Sequence, residues 1–241
     1  QADLAHHLAY THQTLNPALL AELTGIDVIA DFRSRDLAAG GHGAPLVPAF
    51  HAQQFSTNQN IAVLNLGGIA NLTLLSKDSE VRGFDCGPGN MLMDAWIAKH
   101  QGQAFDQDGA WAAQGAVNNS LLERMLADPF FTKAPPKSTG RDDFHLQWLE
   151  KQLGSNTYKA EDVQATLLRL TVTAALQSIQ AYAPQTEVLI VCGGGALNSH
   201  LILLTASVEP NSSGLSRISQ PEIGRPFGLR GLDIGLFILL L

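Results

Sequence analysis

Apolar residues gather along this chain in short runs that end at glycine. Ile61-Ala-Val-Leu-Asn-Leu66 leads into Gly67-Gly68, Ile69-Ala-Asn-Leu-Thr-Leu-Leu75 follows directly, and Val188-Leu-Ile-Val191 leads through Cys192 into Gly193-Gly-Gly195. Runs this short, partly β-branched and bounded by turn formers, have the pattern of strands buried on one or both faces. The pattern predicts strands over 26–30, 61–66, 69–75, 81–84 and 188–191, with a hairpin about Gly67-Gly68. Longer stretches carry helical spacing instead: 90–100, 120–127 and 161–182. In the last of these Val163, Leu167, Leu170 and Ala174 share one face, Glu161 and Asp162 complement the N-terminal dipole, and Pro184 stops the run. Strands alternating with helices define an α/β fold.

Three stretches read as loops: the Gly/Pro-rich 38–48, 128–141 with its Pro135-Pro136 pair, and the polar 209–216. The 241 residues are 45% hydrophobic with a net charge of −7, enough for one large core or two modest lobes. Arg33-Ser-Arg35 is the nearest thing to a basic cluster and is balanced by Asp31 and Asp36, so nothing offers a nucleic-acid surface. The first ten residues lack the basic start and long apolar run of a signal peptide. The run 236–241 is too short to span a bilayer and reads as a buried helix end. Cys86 and Cys192 lie far apart in apolar surroundings, which suits two reduced thiols in a cytosolic protein. The eight histidines show no metal-ligand spacing.

Glycine after a strand lets backbone N–H groups approach a phosphate with no Cβ in the way. Between the two glycine turns lies Gly83-Phe-Asp-Cys-Gly-Pro-Gly-Asn90, which reads as a carboxylate at a strand end before a turn that opens a helix. Together these segments suggest a phosphotransfer site. Each has a plainer alternative: Asp85 as a cap on the helix near Asn90, and Gly67-Gly68 as a tight turn and nothing more. A dinucleotide-binding oxidoreductase is a further alternative, because Gly193-Gly-Gly-Ala-Leu-Asn198 nearly spells G-x-G-x-x-G after a strand. It lacks the third glycine, and Arg217 and Ile218 stand where an acidic residue belongs. The string Pro136-Lys-Ser-Thr-Gly140 lacks the glycine spacing of a P-loop.

Six ordered strings carry a resemblance over about residues 10–198: Asp31-Phe-Arg-Ser-Arg-Asp36, Gly40-Gly-His-Gly-Ala-Pro-Leu-Val-Pro-Ala-Phe-His51, Asn65-Leu-Gly-Gly-Ile-Ala-Asn-Leu-Thr73, Phe84-Asp-Cys-Gly-Pro-Gly-Asn-Met-Leu-Met-Asp-Ala-Trp96, Pro136-Lys-Ser-Thr-Gly-Arg141 and Val191-Cys-Gly-Gly-Gly-Ala-Leu-Asn198. Together they resemble the anhydro-N-acetylmuramic acid kinases of the actin/hexokinase-like ATPase superfamily. The resemblance implies actin-like (ribonuclease H-like) lobes with mixed sheets, divided here as 1–60, a remnant of the sugar-side lobe, and 61–241, the nucleotide-binding lobe. It implies a bacterial cytoplasmic enzyme of cell-wall recycling that uses ATP with Mg²⁺. That enzyme opens the 1,6-anhydro ring of anhydro-N-acetylmuramic acid and phosphorylates O6. Its partners would be the sugar and ATP, with no nucleic acid or membrane, and a homodimer is left open.

By the same resemblance Asp85 is the base that activates water. Gly67, Gly68 and Asn71 are the second phosphate hairpin, and Gly193, Gly194, Gly195 and Asn198 the loop that receives adenosine. Arg33, Asp36, His51 and Asn90 belong to the sugar side, where a guanidinium suits a carboxylate and a histidine a hydroxyl. For Arg33 and Asp36 a structural ion pair, and for His51 a satisfied loop histidine, remain as alternatives. The chain departs from the family at both ends. The family's first Gly-Thr-Ser-x-Asp-Gly phosphate loop is not found, so the first lobe reads as incomplete, and a catalytically inactive fragment is an alternative to a kinase. In the C-terminal stretch Asp233 falls where the family has a glutamate that reaches the active site, so the resemblance implies a substrate-binding residue there.

Overall fold

The computed structural model describes residues 10–55 and 58–207, together with the backbone of Leu236–Leu240. The chain divides into two compact units, Gln1–Leu46 and Val47–Leu241. In the first, helix α1 (Pro17–Thr24) starts where Asn16 Oδ1 accepts the Leu19 N–H at 3.0 Å, and it ends at Gly25 with φ 66°. Helix α2 (Phe32–Ala38) follows, and neither helix buries a residue. The strand expected over 26–30 does not form. Ile26 and Ile29 are exposed, the backbone is irregular, and no described strand pairs with it. Alternating apolar residues make a strand only where a neighbour takes up the N–H and C=O groups.

The second unit opens with helix α3 (Pro48–Phe55) and is built on one mixed sheet of order β3-β2-β1-β4-β5. Strands β1 (Ile61–Leu66) and β2 (Ile69–Leu75) form the expected hairpin, from Leu66 opposite Ala70 to Ile61 opposite Leu75. Strand β3 (Arg82–Pro88) pairs antiparallel with β2 and runs four residues beyond the expected end at 84. Strand β4 (Val188–Cys192) lies parallel to β1. Strand β5 (Leu236–Leu240) replaces the expected helix end and pairs antiparallel with β4, Val188 facing Leu240. The backbone reason is plain: without β5 the outer edge of β4 would present unpaired N–H and C=O groups.

Helices α4 (Met91–Gln101), α5 (Asn119–Leu126), α6 (Pro129–Thr132), α7 (Leu146–Leu153), α8 (Ala160–Tyr182) and α9 (Ser199–Ser207) are the remaining α-helices among the described residues. Helix α8 buries the expected stripe Val163, Leu167, Leu170 and Ala174. Its side of the sheet carries Leu64, Leu66, Leu72, Phe84, Leu189 and Val191 in the main core. Full burial of each such side chain contributes about 1.5–3 kcal/mol. The opposite face carries a smaller cluster, Ile61, Val63, Leu75, Val188 and Ile190, against Ala52 and Phe55 of α3. Helix α3 sits close: a Cβ on Gly83 would lie 2.2 Å from Pro48 Cγ. The loop expected over 38–48 connects α2 to α3, the one over 128–141 contains α6, and 209–216 lies outside the described residues. Cys86 and Cys192 are both free thiols.

Candidate active site

Because β2 is antiparallel to both β1 and β3, while β4 is parallel to β1, three strands point the same way, and each runs into glycine at one edge of the sheet. The first N–H groups of a helix have no acceptor within it. Around the start of α4 they go to the β1–β2 turn: Gly89 N–H to Gly68 O (3.0 Å), Asn90 N–H to Gly67 O (2.8 Å) and Met91 N–H to Gly68 O (3.2 Å). Asn90 Nδ2 donates to Leu66 O at 3.1 Å. A Cβ on Gly89 would fall 2.2 Å from Gly67 O, so the approach requires glycine. Gly193 turns at φ 85°, and a Cβ on Gly195 would meet Leu66 Cβ at 2.6 Å and Asn90 Oδ1 at 2.9 Å. From α8, Thr171 Oγ1 lies 3.0 Å from Pro88 O and 2.9 Å from Gly89 O.

Two glycines in this cluster also face solvent. Gly68 and Gly194 are exposed, and a Cβ on Gly194 would meet nothing within 4 Å. Their backbone is open to a ligand at the carboxyl ends of parallel strands, where open α/β sheets bind theirs.

Asp85 lies inside β3, not at its end, and is 4% exposed. Its N–H donates to Lys137 O at 3.1 Å, and its Oδ2 accepts the Thr139 N–H at 3.0 Å and the Ser138 hydroxyl at 3.2 Å. The helix-cap alternative falls with that geometry: the cap position of α4 is Asn90, and residues 138–139 hold the carboxylate. Between Asp85 and the turn the pairing slips, Ala70 facing Gly87 while Asn71 faces Asp85, which leaves Cys86 as a bulge. Bulges re-aim side chains and recur beside active sites.

Cross-strand register sets Cys192, Asn65, Asn71 and Asp85 in a row on one face. Cys192 Sγ is 3.8 Å from Asn65 Oδ1, and Asn71 Oδ1 is buried with no hydrogen-bond partner. One pleat repeat away, Thr73 Oγ1 meets His51 Nδ1 at 2.8 Å, so His51, on helix α3 and not in a loop, shares the face with Asp85. Burial lowers the His51 pKa, leaving a neutral ring at neutral pH. Burial also pushes the Cys86 thiol up to about 12 and the Cys192 thiol up to about 11, so both are protonated at neutral pH.

The structure thus brings together Gly67, Gly68, Asn71, Asp85, Asn90 and Gly193 to Gly195, with His51 on the same face. Asn198, at the other end of the Gly193 turn, has its Oδ1 accepting the Leu201 N–H at 2.9 Å in the first turn of α9. Arg33 and Asp36 lie on α2 in the other unit, where Asp36 Oδ2 accepts the Gly43 N–H at 2.7 Å. Asp233 lies outside the described residues. Asn65 and the 137–139 segment are participants to which the sequence reading gave no site role, although both lie in strings that carry the resemblance. Among the described residues no group of three or more His, Cys, Asp or Glu is arranged to hold a metal ion. Among them, too, no helix is long and apolar enough to cross a membrane.

The cluster thus combines a buried, hydrogen-bonded carboxylate in β3 with exposed glycine backbone at the ends of parallel strands. Comparison with known proteins is specific. A profile of the family described as anhydro-N-acetylmuramic acid kinase matches residues 3–215. The chain is 56% identical over 203 residues to the anhydro-N-acetylmuramic acid kinase of Pseudomonas paraeruginosa, covering 83% of this chain and 56% of that protein. It is 57% identical over 202 residues to the one from Variovorax paradoxus (81% and 54%) and 50% over 239 residues to the one from Albidiferax ferrireducens (90% and 61%). The chain belongs to the anhydro-N-acetylmuramic acid kinase family. It spans 54% to 61% of the length of these relatives. The oxidoreductase alternative falls with that result; locally, Gly193 opens a 3-10 turn over Gly194–Leu197, and α9 begins only at Ser199.

Proposed function

We propose that the chain serves an ATP-dependent sugar kinase acting on anhydro-N-acetylmuramic acid. In the reaction Asp85 takes a proton from water, the water oxygen bonds to the anomeric carbon, and the bond from that carbon to O6 breaks. The freed O6 takes the γ-phosphoryl group of ATP, leaving N-acetylmuramic acid 6-phosphate, ADP and the proton on Asp85, which passes to solvent. The observation that carries this reading is the Asp85 carboxylate, buried within β3, the strand that runs into the Gly89 turn, with its Oδ2 held by Ser138 and Thr139. A base must be held within reach of the proton it removes. The open backbone at Gly68 and Gly194 supports phosphate binding, and the amide row with His51 supports hydroxyl recognition. Arg33, Asp36 and Asp233 are assigned to the sugar, and Asn198 to the nucleotide loop with Gly193 to Gly195. Mg²⁺ would arrive on the ATP phosphates and neutralise their charge.

The test is ADP release with anhydro-N-acetylmuramic acid and ATP, on the chain alone and on the chain joined to the N-terminal portion of a relative. Sugar-dependent ADP in either supports the reading. No sugar-dependent ADP in either, whether ATP goes unused or is consumed regardless of the sugar, would overturn it. A bacterial cytoplasmic setting and a role in cell-wall recycling follow from the same substrate.

A further inference from the structure

Lys137 is the charged side chain least at home in this molecule. It is 1% exposed and ranks among the largest fully buried side chains. Lysine is almost never fully buried unless its charge is answered. Its Nζ donates to Phe130 O at 3.2 Å and stands 3.5 Å from Phe131 O, and it lies 4.7 Å from the centre of the Phe130 ring. Carbonyls and a ring face answer a cation only in part, and they anchor the side chain to α6. The same residue's backbone carbonyl accepts the Asp85 N–H, and the next two residues bind the Asp85 carboxylate. Burial lowers the Lys137 pKa, and the negative charge of nearby Asp85 acts in the opposite direction. Replacing a buried charge by an apolar side chain of similar size is often neutral or stabilising, so stability alone does not account for this lysine. Its use lies elsewhere.

We propose that Lys137 is a positioning residue for the reaction assigned above. Its buried ammonium anchors the Lys137-to-Thr139 strap that orients Asp85 and supplies a positive charge that favours the carboxylate form of the base. The proposal rests on the reading of Asp85 as the base, but its geometry does not. Besides Lys137, the titratable groups around the strap are Cys86, which stays protonated, Lys133, which acts on Lys137, and Asp143, whose Oδ2 accepts the Thr139 hydroxyl at 2.7 Å.

The experiment has one arm independent of catalysis. Carbon NMR of the carboxyl carbons follows the Asp85 titration in the 241-residue chain and in Lys137→Met and Lys137→Arg. The expected result is an upward move of the Asp85 midpoint by about one pH unit or more in Lys137→Met, a tenfold change in proton affinity, with most of it restored in Lys137→Arg. If Lys137→Met does not fold, the wild-type Lys137 Nζ resonance takes its place: it should shift through the Asp85 midpoint. An unmoved Asp85 midpoint in folded Lys137→Met, or a Lys137 resonance blind to Asp85, overturns the proposal. The second arm measures kcat against pH in the protein that shows sugar-dependent ADP release. The acid limb should move up in Lys137→Met and return in Lys137→Arg, whereas a merely structural lysine would lower the melting temperature and leave the limb in place, which also overturns the proposal. Absence of wild-type activity alongside a positive NMR arm would remove the kinase reading and leave the coupling of Lys137 to Asp85 standing.

Discussion

Gly89→Ala and Gly194→Ala form a pair that separates glycine needed by the fold from glycine left open. At Gly89 a methyl group would lie 2.2 Å from Gly67 O and 3.0 Å from Ala70 N, and both are backbone atoms that cannot swing away. The β1–β2 turn must lift off the start of α4, and the three hydrogen bonds of 2.8–3.2 Å that join them go with it. At about 1 kcal/mol net for each bond, the loss is about 3 kcal/mol. For a domain of this size that lowers the melting temperature by ~6–12 °C. At Gly194 nothing lies within 4 Å of the added methyl and φ lies outside the left-handed range, so stability should change by no more than about 0.5 kcal/mol. Far-UV circular dichroism melts and urea midpoints of the two variants in one buffer make the measurement. Calorimetric ATP titration then asks the other half: a methyl on open backbone that receives phosphate should weaken ATP about tenfold, or 1.4 kcal/mol. Equal melting temperatures for the two variants, or a larger loss at Gly194, would refute the division.

In the protein with sugar-dependent activity, Asp85→Asn should cut turnover by about 10²-fold to 10⁴-fold while ATP affinity holds, measured by single-turnover rate and calorimetry; retained rate would remove Asp85 from the mechanism. Burial, and secondarily the charge of Asp106, pushes the Asp94 pKa up to about 6 from 3.8. The folded state then holds more protons than the unfolded between those values, so this group makes stability fall as pH rises through that window. Asp94→Asn should therefore be more stable than wild type at pH 7.5 and equal to it below pH 4, in urea melts. Lys99 and Glu150 pair at 2.7 Å on the surface with 43% and 51% of their side chains exposed, so Glu150→Ala should cost less than about 0.5 kcal/mol by the same assay. Cys86 and Cys192, with pKa values raised to about 12 and about 11, should react with a disulfide reagent at pH 8 far more slowly in the folded chain than in guanidinium.

Much of the second unit is legible along the chain. Strands β1, β2 and β4 and helices α4, α5 and α8 stand where apolar periodicity and glycine put them, within a residue or two. Those elements bury a continuous stripe, and burial is what periodicity encodes. Helices α1 and α2 bury nothing and so leave no stripe to read. Residues 26–30 and 236–240 show the converse: similar apolar runs become irregular chain in one place and a strand in the other, because a free strand edge is available to one of them. The position of Asp85 within β3 was hidden by Gly87 and Pro88, turn formers that here sit in a bulged strand. The burial of Lys137 had no local signature, since the segment 137–139 owes its place to β3, more than fifty positions earlier in the chain. Convergence of three glycine segments is likewise a property of the register and not of any one segment.

The parallel pairing of β1 with β4 also sets an order of events in the cell. Asn60 and Glu187, which meet just before the two strands, are 127 positions apart. On a ribosome adding ~5–20 residues per second, β1 waits roughly 6–25 s for its neighbour. During that interval the β1–β2–β3 meander is complete on one side and carries a bare central edge on the other, apolar on both faces at Val63 and Leu64. Contacts of long sequence separation form late, and an unfilled central edge is a template for any passing strand. The nascent chain of this family should therefore engage holdase chaperones from the emergence of β1 until β4 closes the gap, and let go of them only then.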